Sequence, residues 1–154
     1  MSGLRSPQET AHHLAWLALA ILWLGGLSFY AAVVVPIGAE LTSSTTQGFV
    51  TQRVTFWLNL LGTGYVVVTT RDLVGPVHRA RQLLWCVLAA AQLTLWLLHP
   101  VLDALLDPTT MSVTDSVAFY QWHRLYLAAT TIQWAAGVGH VWASGRSVKC
   151  EGRR

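Results

Sequence analysis

Apolar residues in this chain gather into four long runs free of Asp, Glu, Lys and Arg: Leu14 to Val35, Val54 to Thr70, Gln82 to Leu102 and Leu125 to Ser144. Each run approaches the roughly 20 residues that a helix needs to cross a bilayer core of about 30 Å. The pattern predicts helices over about 12–35, 53–71, 80–104 and 116–144, joined by short loops. Short connections favour antiparallel neighbours. The expected fold is an all-α membrane protein, an antiparallel up-down four-helix transmembrane bundle in one integral membrane domain spanning 1–154.

Interruptions refine each run. Residues 1–11 are polar and read as a frayed end. Gly25-Gly26 and Ala31-Ala32 would let a neighbouring helix approach the first run closely. Pro36 is expected to close that helix, leaving IGAELTSSTTQG as a polar loop. The second run reads as a short helix between Arg53 and Arg71, about 26 Å long. Asn59, Gly62 and Gly64 place one of its faces inside the bundle. A turn is expected at Gly75-Pro76. After the third run, Asp107-Pro108 reads as a stop, and Thr114 or Asp115 as the N-cap of the last helix. Small residues stud that helix at Ala128, Ala129, Ala135, Ala136, Gly137 and Gly139, and the tail GRSVKCEGRR reads as a basic anchor.

The chain has 154 residues, 53% of them hydrophobic and 11% charged, too few charges to coat a soluble globule. The first run is longer than a signal-peptide core and lacks a small-x-small cleavage site, so it reads as a retained helix. Arg5, Arg71, Arg79, Arg81, Arg146, Lys149, Arg153 and Arg154 would all lie on one side, with Arg53 and Arg124 on the other. Basic residues favour the cytoplasmic face, so both termini are expected inside. Trp16, Trp85 and Trp142 then fall near the inner interface and Trp57, Trp96 and Trp122 near the outer one; Trp23 and Trp134 read as mid-membrane packing residues. Cys86 and Cys150 would sit on the reducing side, where a disulfide is not expected. The net charge of +3 needs only the anionic inner leaflet, so the lipid bilayer is the expected partner, not nucleic acid.

The six histidines divide by side: His12, His13, His78 and His140 inward, His99 and His123 outward. Asp103 stands four residues beyond His99, where one helix face would carry both, although Pro100 intervenes. His99, Asp103 and His123, with Glu40, suit a borderline divalent metal such as zinc. Tyr30, Glu40, Tyr120 and Arg124 fall at the same depth as further binding residues. Soft copper(I) finds only the thioethers of Met1 and Met111. A dihaem arrangement would pair His13 with His140 and His99 with His123, at the cost of splaying the helices. The alternative is that these groups mark the wet end of the bundle and bond to one another and to water. The deepest polar residues, Asn59, Gln92, Thr130, Thr131 and Gln133, suit helix–helix hydrogen bonds. The runs contain no carboxylate or lysine for pumping ions, and the chain has no His-Glu-x-x-His helix, serine elbow or phosphate loop.

The run from Gly26 through Phe29 and Tyr30 to Pro36, with QGFVTQRVTFWLNLLG, Leu98 to Pro100, and Phe119 with His123 and Arg124, resembles small bacterial membrane proteins of the transmembrane protein 205-like family. A looser similarity links them to copper-resistance-D-like membrane domains. The resemblance covers most of residues 20–140 and implies a four-helix fold in a bacterial inner membrane, with attention on His123. It brings no reaction. One departure is Ile37-Gly38-Ala39-Glu40, where relatives often carry Phe after the proline.

The reading that follows is a non-catalytic integral membrane protein, acting as a subunit of a membrane complex, as a homo-oligomer, or through its outer polar end. The rivals are a metal- or haem-binding protein using His99 and His123, and a membrane enzyme on a lipid or quinone with His123 as acid–base.

Overall fold

The computed structural model describes residues 7–73 and 79–151, and the side chains of Glu9, Ser44, Asp72 and 146–151 lie outside that description. The described residues are almost wholly helical. Helix α1 covers 7–41 as the segments Pro7–Ala20, Gly26–Phe29 and Val35–Leu41, joined by π-helical turns Ile21–Gly25 and Tyr30–Val34. Helix α2 is Ser44–Val68, continued by a 3₁₀ turn Thr69–Leu73. Helix α3 is Arg79–Asp103, and α4 is Ser116–Glu151. Between α3 and α4 the chain forms a small antiparallel pair, β1 (Leu106–Asp107) and β2 (Ser112–Val113), with Leu106 opposite Val113. Met111, at φ 51°, turns the chain back between them.

Several local expectations change. Pro36 does not stop α1. The wide turn Tyr30–Val34 precedes it, and the helix resumes at Val35 with Pro36 in its first turn, where a missing N–H costs least. The expected polar loop shrinks to Thr42-Ser43. The Ser43 side chain accepts from the Thr46 backbone N–H at 3.1 Å and caps α2, so that helix is 25 residues long rather than short. At the far end of the chain Asp115 caps α4, its carboxylate accepting from the Ala118 N–H at 3.0 Å. Helix α4 also continues into the expected tail, to Glu151. The turn at Gly75-Pro76, and His78, lie outside the described residues.

The core is mainly apolar, but the helices also turn several polar residues inward while large apolar ones face outward. Along α4 the buried positions are Tyr126, Ala129, Gln133, Ala136, His140 and Ser144, a spacing of three or four that keeps one face inward. Asn59 and Tyr65 are likewise buried on α2, Thr69 in the 3₁₀ turn that continues it, and Gln92 and His99 on α3. Meanwhile Ile21, Leu22, Leu60, Val67, Leu93, Leu97, Leu127 and Ile132 face outward. Two helical stretches, Thr10–Leu41 and Arg79–Asp103, are long and apolar enough to cross a membrane.

Polar cross-links tie all four helices together. Gln133 Nε2 donates to Gln92 Oε1 at 2.6 Å, joining α4 to α3. Asn59 Nδ2 donates to the Tyr126 hydroxyl at 2.9 Å, and the Tyr65 hydroxyl meets His140 Nδ1 at 2.7 Å, joining α2 to α4. Trp96 and Trp85 donate their indole N–H groups to Thr63 Oγ1 and to the Val66 carbonyl, and Trp134 donates to Ser28. Thr130 and Thr131, expected as cross-links, instead donate back to the carbonyls of Tyr126 and Leu127 within α4.

The small residues are used selectively. Trp23, 1% exposed, fills the centre of the bundle. It lies against Gly62 of α2 and Gly137 of α4, where an added Cβ would come within 3.0 Å and 2.8 Å of the indole. Gly26 approaches Leu58, but Gly25 has open space around it and Ala31 and Ala32 are exposed. On α4, Ala128 and Ala135 likewise face outward.

Candidate functional site

The end of the bundle that carries the β-hairpin holds the best-formed polar site. His99 lies one turn before the end of α3, in a helix that runs through Pro100 to Asp103. Pro100 has no N–H to give the carbonyl four residues back, yet the flanking turns hold, and the Ala104 N–H closes on the Pro100 carbonyl at 3.0 Å. The i, i+4 spacing therefore survives: His99 Nε2 stands 3.6 Å from Asp103 Oδ2.

Packing fixes the imidazole. Its ring lies 6.1 Å from Phe56 of α2 and 6.3 Å from Tyr126 of α4, centroid to centroid. Tyr126 is itself anchored by Asn59. His99 is buried, while Asp103 is partly exposed and reaches toward the surface. The second carboxylate oxygen, Oδ1, is enclosed and has no hydrogen-bond partner.

Asp103 opens on a groove of about 510 Å³ between α2 and the hairpin. Phe49, Val50 and Val54 of α2 form one apolar wall, and Leu106 and Pro108 form the other. Gln52 and Arg53 supply the remaining polar lining. The hairpin owes its shape to Asp107. Its carboxylate accepts from the Thr109 hydroxyl and backbone N–H and from the Thr110 hydroxyl, which together hold its pKa near 2, well below the ordinary 3.8. A groove of this size, apolar with a few polar groups at one end, is the usual form of a small-molecule site.

The other expected site residues scatter. His123 does not join His99 and Asp103 as a third ligand; its ring stacks on Phe119, 5.6 Å away on the same helix. Among the described residues no group of three or more His, Cys, Asp or Glu is placed to hold a metal ion. Tyr30 is buried in the second π-helical turn and donates to Thr51 Oγ1 at 2.9 Å, so it braces α1 on α2. Glu40 and Arg124 are exposed, and Tyr120 is exposed with its ring edge-on to Phe119.

A haem pair from His13 and His140 meets an obstacle in the packing. The His140 ring is 0% exposed and its Nδ1 is engaged by Tyr65, whereas His13 is exposed and stacks on Trp16 at 5.4 Å. His140, placed by the sequence toward the inner end of its helix, is a core residue. The pattern that would have placed it is the inward stripe of α4, in which it follows Gln133 at seven residues, two helical turns. Cys86 is a free, exposed thiol; the side chain of Cys150 is outside the described ones.

The chain matches no known family profile, no curated protein and no solved structure.

Proposed function

We propose that this chain is a polytopic four-helix membrane protein, with both termini on the cytoplasmic side, that binds an amphiphilic ligand in the groove at its outer, hairpin end and performs no catalysis of its own. The groove carries this reading. It combines apolar walls with the cation of Arg53 and the partly exposed carboxylate of Asp103, and His99, packed between Phe56 and Tyr126, stands beside Asp103.

Polar residues turned inward, with large apolar residues facing outward, support four spans. Helix α4 is the least apolar of the four, and Gln133 and His140 on it, like Asn59 on α2, are turned inward. Leu60 and Val67 on α2, and Leu127 and Ile132 on α4, face outward. A soluble protein rarely displays so much contiguous apolar surface. The positive-inside bias supports the orientation, with Asp103, Asp107 and Asp115 outside.

Native mass spectrometry of protein released from its own membranes tests the reading. The wild type is expected to retain an amphiphile adduct, and Val54→Trp, which fills the groove, is expected to lose it. Equal adducts on both proteins would refute a groove-bound ligand.

A further inference from the structure

We infer that the groove selects a zwitterionic aminophospholipid, with a primary ammonium set against Asp103, a phosphate against Arg53, and hydrocarbon along Phe49, Val50 and Val54. The inference rests on the binding reading above and adds the chemical class of the ligand.

Two charges of opposite sign line one groove from different elements, Arg53 on α2 and Asp103 at the end of α3. Among the described residues Arg53 makes no ion pair; the pair there is His99 with Asp103, and it engages Oδ2. Oδ1 is enclosed without a donor, and it is the exposed part of the Asp103 side chain, 36% of it, that lines the groove; an ammonium, with three N–H groups, can bond the carboxylate there. The exposed guanidinium is a planar fork matched to phosphate oxygens. A purely anionic head would set negative charge beside Asp103, and a purely cationic one would set positive charge beside Arg53. A head bearing both signs satisfies both ends. A quaternary ammonium has no N–H to give the carboxylate, so the primary amine is favoured over choline.

The apolar walls choose between two sources of the same headgroup chemistry. A water-soluble amino phosphate would leave Phe49, Val50 and Val54 wet, whereas a lipid covers them. Trp57, one turn along α2 from Arg53 and 63% exposed, sets the groove at headgroup depth.

The test is lipid exchange in mild detergent with the full chain, read by native mass spectrometry. The probes are short-chain phosphatidylethanolamine, phosphatidylcholine and phosphatidylglycerol, with O-phosphoethanolamine as the soluble arm. Wild type is expected to bind phosphatidylethanolamine about tenfold more tightly than the other two lipids, a difference typical of one charged contact. Asp103→Asn should erase that preference while still binding lipid. Arg53→Gln should weaken all three lipids, each of which carries the phosphate, and Arg53→Lys should recover part of the loss.

Equal binding of the three lipids by wild type, or a preference untouched by Asp103→Asn, would overturn the ligand class. O-phosphoethanolamine binding as tightly as the lipid would overturn the lipid assignment. If the lipids bind equally yet Val54→Trp abolishes them all, only the class fails. If Val54→Trp changes nothing, the groove reading fails with it.

Discussion

The Tyr65 hydroxyl lies 2.7 Å from Nδ1 of His140, on a different helix and 75 residues away in sequence. Both side chains are 0% exposed. A hydrogen bond between α2 and α4 in so dry a place locks their relative register. Tyr65→Phe removes the hydroxyl and leaves a ring nitrogen enclosed. The expected loss is about 1–2 kcal/mol, as for other buried hydrogen bonds. Thermal unfolding in detergent checks it, and the double variant Tyr65→Phe with His140→Leu should lose less than the sum of the single ones.

Trp23 gives a steric counterpart. Its indole fills the space left by Gly62 and Gly137, and neither helix can retreat without breaking the cross-links around it. Gly137→Ala is therefore expected to destabilise by about 1–3 kcal/mol through overpacking. Gly62→Ala should cost a similar amount, because its Cβ would also press on Gln92 Oε1, which accepts from Gln133. Gly48→Ala has open space around it on α2 and should be neutral or stabilising by up to about 1 kcal/mol. Melting temperatures of the three variants separate packing from helix propensity.

Helical spacing made part of this legible. His99 and Asp103 are partners on one helix face, so the sequence brings them together whatever the rest of the fold does. Asn59 with Tyr126, and Tyr65 with His140, join residues far apart in sequence, and local periodicity says which face each occupies but not whom it meets. Pro36 and Ser43 misled for a different reason. Proline after a β-branched run and a Ser/Thr cluster both read as loop, whereas here a π-helical turn absorbs the proline and the serine caps the next helix. The groove itself was hidden, because its Phe49 to Gln52 wall falls between the expected loop, which ends at Gly48, and the helix expected from 53, and its other wall is a hairpin of two-residue strands.

Orientation is open to chemical labelling. In a Cys86→Ser background, a cysteine placed at Met111, in the exposed hairpin, should react with a membrane-impermeant maleimide added to intact cells or spheroplasts. Cys150 should react only after the membrane is opened. The reverse pattern would invert the topology, and labelling of both from outside would remove α4 as a span.

The hairpin should be sensitive to acid. Hydrogen bonds from Thr109, then Thr110, hold the Asp107 pKa near 2 when folded, against 3.8 ordinarily. The folded form thus prefers the ionised carboxylate. Its stabilising contribution is complete above the ordinary value and is lost as pH falls from about 4 toward 2. Hydrogen exchange at the Thr109 amide should accelerate over that window in the wild type, and the acid-dependent change should be absent in Asp107→Asn.

A photoreactive amino acid placed at Val54 in native membranes asks what fills the groove. The same residue at Leu93, exposed on the outer face of α3, samples the surrounding lipid. Crosslinking at Val54 is predicted to give one dominant amphiphile adduct, diminished by Asp103→Asn, while Leu93 gives the mixed composition of the bulk membrane. The same mixture at both positions, or no adduct at Val54, would contradict a binding groove at this end of the bundle.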